Sequence, residues 1–391
     1  AIVLFMNGIG TLLFIAITKG KAPAYLGSSF AFLAPASIVI QNFGYEYALG
    51  GFVAVGFCGC ILALIIYKFG TDWINIVLPP AAMGPVVALI GLELSANAAS
   101  NAGLLDENID PRKIIVFMVT LGVAVFGSIL FRKFLAVIPI LIAVLAGYAA
   151  AIICGIVDFE EVAAAKIIAM PHFSSPKFDA QAIMIILPVI LVIISEHIGH
   201  QVVTSKIVGR DLLKDPGLHR TLIGDGLATS LSALVGGPAN TTYGENTGVL
   251  ELSRVHDPRV IRLAAVYAVV LSFIPKVSSI IGSMPASIIG GVSFILYGMI
   301  SAIGVRNIVE NHVDFTKSRN LIIAAVILVS GLGFSNGLTF TVGGTSITLT
   351  SLAIAALAGV ILNAILPGND YSFGEDPKAD RHRGIDMNPN D

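Results

Sequence analysis

The apolar run AIMIILPVILVII ends in Ser195-Glu196-His197-Ile198-Gly199-His200, placing an acid and two histidines where a bilayer-crossing segment would have no water. Glu196 and His200 are four residues apart, so on a helix both point the same way, with His197 about 100° from Glu196. Three chemistries use such residues: metal ligation, exchange of a proton beside a hydrogen-bonded ligand, and hydrogen bonding between packed helices. A zinc site needs further ligands at set spacings. His197 and His200 are three apart, no second His cluster falls in an apolar segment, and neither HExxH nor CxxC occurs; Cys58, Cys60 and Cys154 sit singly in apolar runs. Neither a metal nor a cofactor is expected. Ionisable groups inside a membrane are costly and mark substrate or proton routes, which favours the second chemistry. A cluster that only knits helices together stays open as the alternative.

The elements that position these residues follow from composition. Of 391 residues, 55% are hydrophobic and 12% charged, far from the roughly one quarter charged residues of a soluble domain. Apolar stretches near the roughly 20 residues that cross a bilayer as helix recur along the chain. The expectation is an all-α polytopic membrane protein in contact with lipid. Net charge is −2 and basic tracts are absent, so nucleic acid is not an expected partner.

Thirteen segments are expected, at about 1–18, 22–41, 46–68, 73–97, 113–131, 135–157, 182–204, 218–235, 238–252, 258–283, 285–305, 320–340 and 348–366. If they alternate sides, most Lys and Arg, among them Lys206, Arg210, Arg254, Arg259, Arg306 and Arg319, fall on one side, which is then the cytoplasm. The polar tail 367–391 lies on that side. Segment 158–180 is the longest link opposite.

Two segments, 22–41 and 238–252, are broken by Gly, Pro and polar residues, and Pro80-Ala81-Ala82-Met83-Gly84-Pro85-Val86 echoes Pro285-Ala286-Ser287-Ile288-Ile289-Gly290-Gly291-Val292 with one insertion. The offset from Pro80 to Pro285 is 205 residues and that from Phe30 to Glu245 is 215, and the latter puts the partner of 182–204 before residue 1. A 7+7 repeat with its first helix missing from this chain is therefore expected. Seven is odd, so the halves are inverted, an architecture of transporters. PANTTYGENTGVLEL is too short, at about 1.5 Å per residue, to span about 30 Å of hydrocarbon as helix. An extended piece from Asn240 to Tyr243 followed by a half-helix from near Gly244 resolves this, with YLGSSFAF at 25–32 making the matching break and the two extended pieces lying antiparallel. Both half-helix N-termini then offer unpaired N–H groups to ligand oxygens. Phe30 and Tyr243 flank the breaks, where aromatic rings could wall a planar ligand. Asp225 reads either as a structural acid or as part of a proton path, Tyr297 is equally open, and Glu93 and Glu251 read as interfacial.

YLGSSFAF, PPAAMG, SEHIGH, KDPGLHR and NTTYGENTGV together resemble the uracil-transporting bacterial branch of the nucleobase/ascorbate transporter family, from residue 1 to about 366. Ser253-Arg254 stands where the family has Thr-Arg. The resemblance implies fourteen spans in a core domain, here 1–68 and 182–283, and a gate domain, here 73–157 and 285–366, with substrate between them. It implies a proton-coupled importer of uracil in the inner membrane. The alternative is a xanthine or other purine permease, because Asp225 resembles an acid of purine-transporting relatives; an anion transporter, channel or metalloenzyme fits less well. By resemblance, Glu196 and Glu245 accept the ring N–H groups, the amides of Phe30 and Gly244 donate to the ring oxygens, Tyr243 and Phe30 pack near the base, and His200 joins Glu196 in proton coupling. Asp225, Tyr297 and Asn246 are further candidates. The expected partners are uracil, protons and lipid, with a second copy of the chain as a candidate homodimer partner.

Overall fold

The computed structural model describes residues 1–70, 73, 77, 79–335, 337–342 and 345–368, without the side chains of 245, 248, 252, 341, 342 and 345–347. The tail expected at 367–391 thus lies almost wholly outside the described residues. In chain order the elements are α1 (Ile2–Ile17), β1 (Leu26–Ser28), a 3-10 turn (Phe30–Phe32), α2 (Leu33–Asn42), α3 (Tyr45–Phe69), α4 (Pro80–Glu93), α5 (Ser95–Asn101), α6 (Pro111–Leu130), α7 (Pro139–Ile153) and α8 (Glu160–Ala164). There follow α9 (Ala180–Ile186), α10 (Val189–Val208), α11 (Leu218–Leu234), β2 (Asn240–Thr242), α12 (Glu245–Ser253), α13 (Pro258–Ser272) and α14 (Pro275–Gly282). The remainder is α15 (Ala286–Glu310), α16 (Ser318–Gly333), β3 (Leu338–Val342), β4 (Thr345–Leu349) and α17 (Ser351–Ile365).

Among the described residues five helical stretches are long and apolar enough to cross a membrane, Tyr45–Phe69, Pro80–Asn101, Pro111–Leu130, Ala180–Val208 and Ala286–Glu310, and shorter apolar helices accompany them. Their starts are set locally. Pro opens α4, α6, α7, α13 and α14, where its missing N–H costs nothing. Asp110, Asp179 and Asp257 accept the first free amides of α6, α9 and α13.

Helices approach closely through glycine. A Cβ on Gly56 of α3 would sit 2.5 Å from the Gly226 carbonyl of α11, and one on Gly226 would sit 2.6 Å from the Gly56 carbonyl. Without a hydrophobic force between helices in lipid, such small-residue contacts let backbones pack tightly. Gly84 and Gly304 do the same between α4 and α15. The result is two packed groups, α1, α3, α11 and α13 in one and α4, α6, α7, α15, α16 and α17 in the other.

The two expected breaks are present. β1 and β2 pair antiparallel in the register Leu26↔Thr242, Gly27↔Thr241, Ser28↔Asn240. Flanking groups satisfy what the short ladder leaves over, as a low-dielectric setting demands. The Leu26 amide donates to Thr11 Oγ1 (2.9 Å), Thr229 Oγ1 donates to the Asn240 carbonyl (2.6 Å), and Asn240 Nδ2 donates to the Met6 carbonyl (3.2 Å).

Two expectations need correction. The run 258–283 is not one straight helix: α13 and α14 meet at 87°, because Pro275 cannot continue the hydrogen-bond ladder of α13. The segments 320–340 and 348–366 are shorter as helices, since α16 stops at Gly333 and β3 pairs antiparallel with β4 before α17 begins. Extended pairing is therefore not confined to the two broken helices. Most of 71–78, where the helix expected from residue 73 would start, lies outside the described residues, and Pro80–Glu93 is helical.

Candidate functional site

Pro188 separates α9 from α10, and the chain then runs as continuous helix through Glu196, His197 and His200. Glu196 is half-buried and both histidines are buried. The helix faces the crossing of β1 and β2. A Cβ on Gly244, the residue that caps α12, would lie 2.4 Å from His200 Nε2, so the His200 ring lies directly against the start of this half-helix. The Gly244 carbonyl accepts a short hydrogen bond from Thr247 Oγ1.

Aromatic rings line the same crossing. Tyr243 donates from its hydroxyl to the Ser28 carbonyl at 2.9 Å, and its ring leaves no room for a side chain at Gly27, where a Cβ would come within 2.3 Å. Phe30 lies nearly parallel to Tyr243, ring centres 6.5 Å apart and planes 14° apart. Tyr297 of α15 meets Phe30 edge-on, 5.4 Å between centres and 81° between planes. Tyr297 belongs to the other helix group, so the rings bring both groups to one place.

The remaining sequence candidates fall in three positions. Asp225 lies behind α10, its Oδ2 3.6 Å from His197 Nδ1. It borders a cavity of about 10 Å³ between α3, α10 and α11, room for about one water. Asn246 turns its amide towards the Tyr25 carbonyl at 3.5 Å, a contact that braces the approach to β1. Glu245 opens α12; its side chain lies outside the described residues.

Of the two acids read as interfacial, Glu251 stands 3.7 Å from Arg306, which also binds Glu310. Glu93 accepts a short hydrogen bond from Ser351 at the start of α17. Among the described residues no three His, Cys, Asp or Glu side chains converge as a metal site requires. Sequence reasoning passed over Thr242, whose hydroxyl lies 3.4 Å from His200 Nδ1 and 3.4 Å from His197 Nδ1. Its signal was weak: alternation along an extended piece places Thr242 on the face opposite Thr241, without saying what that face meets.

The chain is 49% identical over 373 residues to the uracil permease of Paenibacillus larvae subsp. larvae, covering 93% of this chain and 88% of that one. It is 48% identical over 368 residues to the uracil permease of Escherichia coli K12, covering 93% and 84%. Among solved structures, the transmembrane domain of the cyanobacterial bicarbonate transporter BicA superposes with a TM-score of 0.59 at 15% identity, covering 94% of each chain. The murine anion transporter Slc26a9 in its inward-facing state superposes with a TM-score of 0.64 at 12% identity, covering 92% of this chain and 62% of that one. At these identities the two structures speak for the fold alone. A profile described as Permease family matches residues 1–340, and with relatives this similar over most of their length the chain belongs to that family, as a multi-pass membrane transporter rather than an enzyme.

Proposed function

We propose that the chain imports a nucleobase, uracil first, with protons, across the inner membrane, its tail 367–391 on the cytoplasmic side. The observation that carries this is the meeting, at one strand crossing, of the Gly244 end of α12 with His200 and of Phe30 with Tyr243 and Tyr297. Uracil is flat and presents alternating C=O and N–H groups, which call for fixed donors, carboxylate acceptors and apolar faces. The amides of Phe30 and Gly244 are the donors in this reading, and Glu196 and Glu245 the acceptors. Phe30 and Tyr243 lie nearly parallel with ring centres 6.5 Å apart, so both offer apolar faces of similar orientation beside the crossing.

The packing of the helices supports transport by alternating access. The group containing α1, α3, α11 and α13 corresponds to the core domain, 1–68 and 182–283. The group containing α4, α6, α7 and α15 to α17 corresponds to the gate domain, 73–157 and 285–366. With α10, β1 and β2 on the core and Tyr297 on the gate, movement of one group against the other opens the site to alternate sides. The 7+7 inverted repeat is the symmetry that makes the two states equivalent. His200, beside Glu196 and the half-helix, is placed to couple a proton to the base.

The test is uptake of labelled uracil into proteoliposomes under an imposed proton gradient, with xanthine, thymine and cytosine as competitors. Accumulation driven by an inward gradient and blocked by excess uracil is expected. Accumulation indifferent to the gradient removes the proton, and competition won by xanthine makes the chain a purine permease.

A further inference from the structure

We infer that Lys206, Glu310, Arg306 and Glu251 form a charged seam between the two helix groups, which holds them in the arrangement described and has to open when one group moves past the other. The inference rests on the alternating-access reading above and deepens it.

Charge alternates along the seam. Lys206 Nζ lies 3.1 Å from Glu310 Oε2, Glu310 Oε1 accepts a hydrogen bond from Arg306 Nε at 2.6 Å, and Arg306 Nη1 lies 3.7 Å from Glu251 Oε2. The two end charges stand on α10 and α12, within the stretch 182–283 assigned above to the core. The two middle charges are four residues apart on one face of α15, which packs with the gate. Lys206–Glu310 and Glu251–Arg306 therefore cross between the groups, and Arg306–Glu310 braces the two side chains that receive them.

Contacts within a group are of another kind. There Gly56 meets Gly226 and Gly84 meets Gly304 with backbone against backbone, which leaves no slack for sliding. At the seam long side chains reach across, and they are 21 to 55% exposed. Ion pairs this open are weak, and water takes the place of a lost partner, so they break and re-form readily. Beside Arg306, the buried Asn307 lies against α10, where a Cβ on Gly199 would come within 3.2 Å of its Nδ2. That Nδ2 has no hydrogen-bond partner among the described residues. A buried donor left unmatched is costly, and it fits a surface that meets more than one partner. Arg306 lies nine residues beyond Tyr297 on α15, about 13 Å at about 1.5 Å per residue, so changes at the seam leave the aromatic rings in place.

Distances between spin labels in the whole purified protein test this without a ligand, with thermal unfolding as a folding control. In a background lacking Cys58, Cys60 and Cys154, Arg210→Cys and Ser318→Cys put one label on each group at exposed positions. Glu310→Gln is expected to change the ratio of the label-distance populations about two- to fivefold, the scale of an exposed ion pair. Lys206→Gln should shift it the same way, and the double variant no further than Glu310→Gln alone, because the two residues share one contact. Parental distances in Glu310→Gln, or shifts that multiply in the double variant, would overturn the inference. A second arm joins Lys206→Cys to Glu310→Cys with a short reducible thiol cross-linker in proteoliposomes. The linked protein should lose uracil uptake and regain it on reduction, and undiminished uptake by fully linked protein would equally overturn the inference. A parent that takes up no uracil counts against the substrate reading, and the label distances then decide the seam alone.

Discussion

The His200 imidazole occupies the space where any side chain at Gly244 would have to go: a Cβ there would lie 2.4 Å from Nε2, 2.9 Å from Cδ2 and 3.2 Å from Cε1. Gly244 is an αR residue, φ −64° and ψ −32°, so glycine is required here by space and not by backbone conformation. Gly244→Ala is therefore expected to fold and to displace either the ring or the start of α12. Overpacking of this kind costs about 1–3 kcal/mol. Felt at the site, that is about a 5- to 150-fold loss of uracil affinity. Equilibrium binding measures it, and parental affinity would show that His200 and α12 are free to move apart.

The register of the strand pair can be tested by cross-linking. Ser28 and Asn240 are directly opposed, and opposed antiparallel residues have Cα atoms about 4.5 or 5.5 Å apart, within the range a disulfide bridges. In a background lacking Cys58, Cys60 and Cys154, Ser28→Cys with Asn240→Cys should form an intramolecular disulfide under mild oxidation. Absence of the cross-link in folded protein argues against the pairing.

Much of this crossing is legible in the sequence, because 238–252 is too short to span as helix and too rich in Gly, Asn and Thr to face lipid, which calls for a broken helix buried against protein. The 87° turn at Pro275 is less legible. FIPKVSSIIG is apolar enough to pass as the end of a span, and hydropathy carries no direction. The β3 and β4 hairpin does have a signal, since LTFTVGGTSITL alternates apolar and polar residues around Gly343-Gly344. Hydropathy summed over a long window averages that alternation away and reads helix. The contact of Thr242 with both histidines depends on how two elements distant in sequence, β2 and α10, meet, and no local pattern encodes that.

Close helix packing predicts a stability effect away from the site. A methyl group on Gly226 would meet the Gly56 carbonyl at 2.6 Å, Cys60 Sγ at 3.0 Å and the Cys60 amide nitrogen at 3.2 Å. Two of the three neighbours are backbone and cannot rotate aside. Gly226→Ala should push α3 and α11 apart at a cost of about 1–3 kcal/mol, more than the gain in helix propensity of about 1 kcal/mol. Lowered thermal or denaturant stability in detergent is the expected reading. Unchanged stability would mean that the two helices are not in this contact.

If Glu196 binds the base and His200 couples the proton, as proposed above, their variants should fail differently. Glu196→Gln preserves shape but turns one acceptor into a donor, so a ring N–H of the base would face an N–H of the protein. A buried polar pair left unmatched costs about 1–3 kcal/mol, and the lost charge is also lost to proton coupling. Uptake should be abolished and binding weakened at every pH. His200→Ala removes a titratable ring beside the half-helix but leaves the acceptor in place. Binding should persist in weakened form, whereas accumulation driven by a proton gradient should fall and its pH dependence shift. Uptake against pH in matched proteoliposomes separates the two patterns. Parental profiles and undiminished accumulation in both variants would reduce the motif to helix packing.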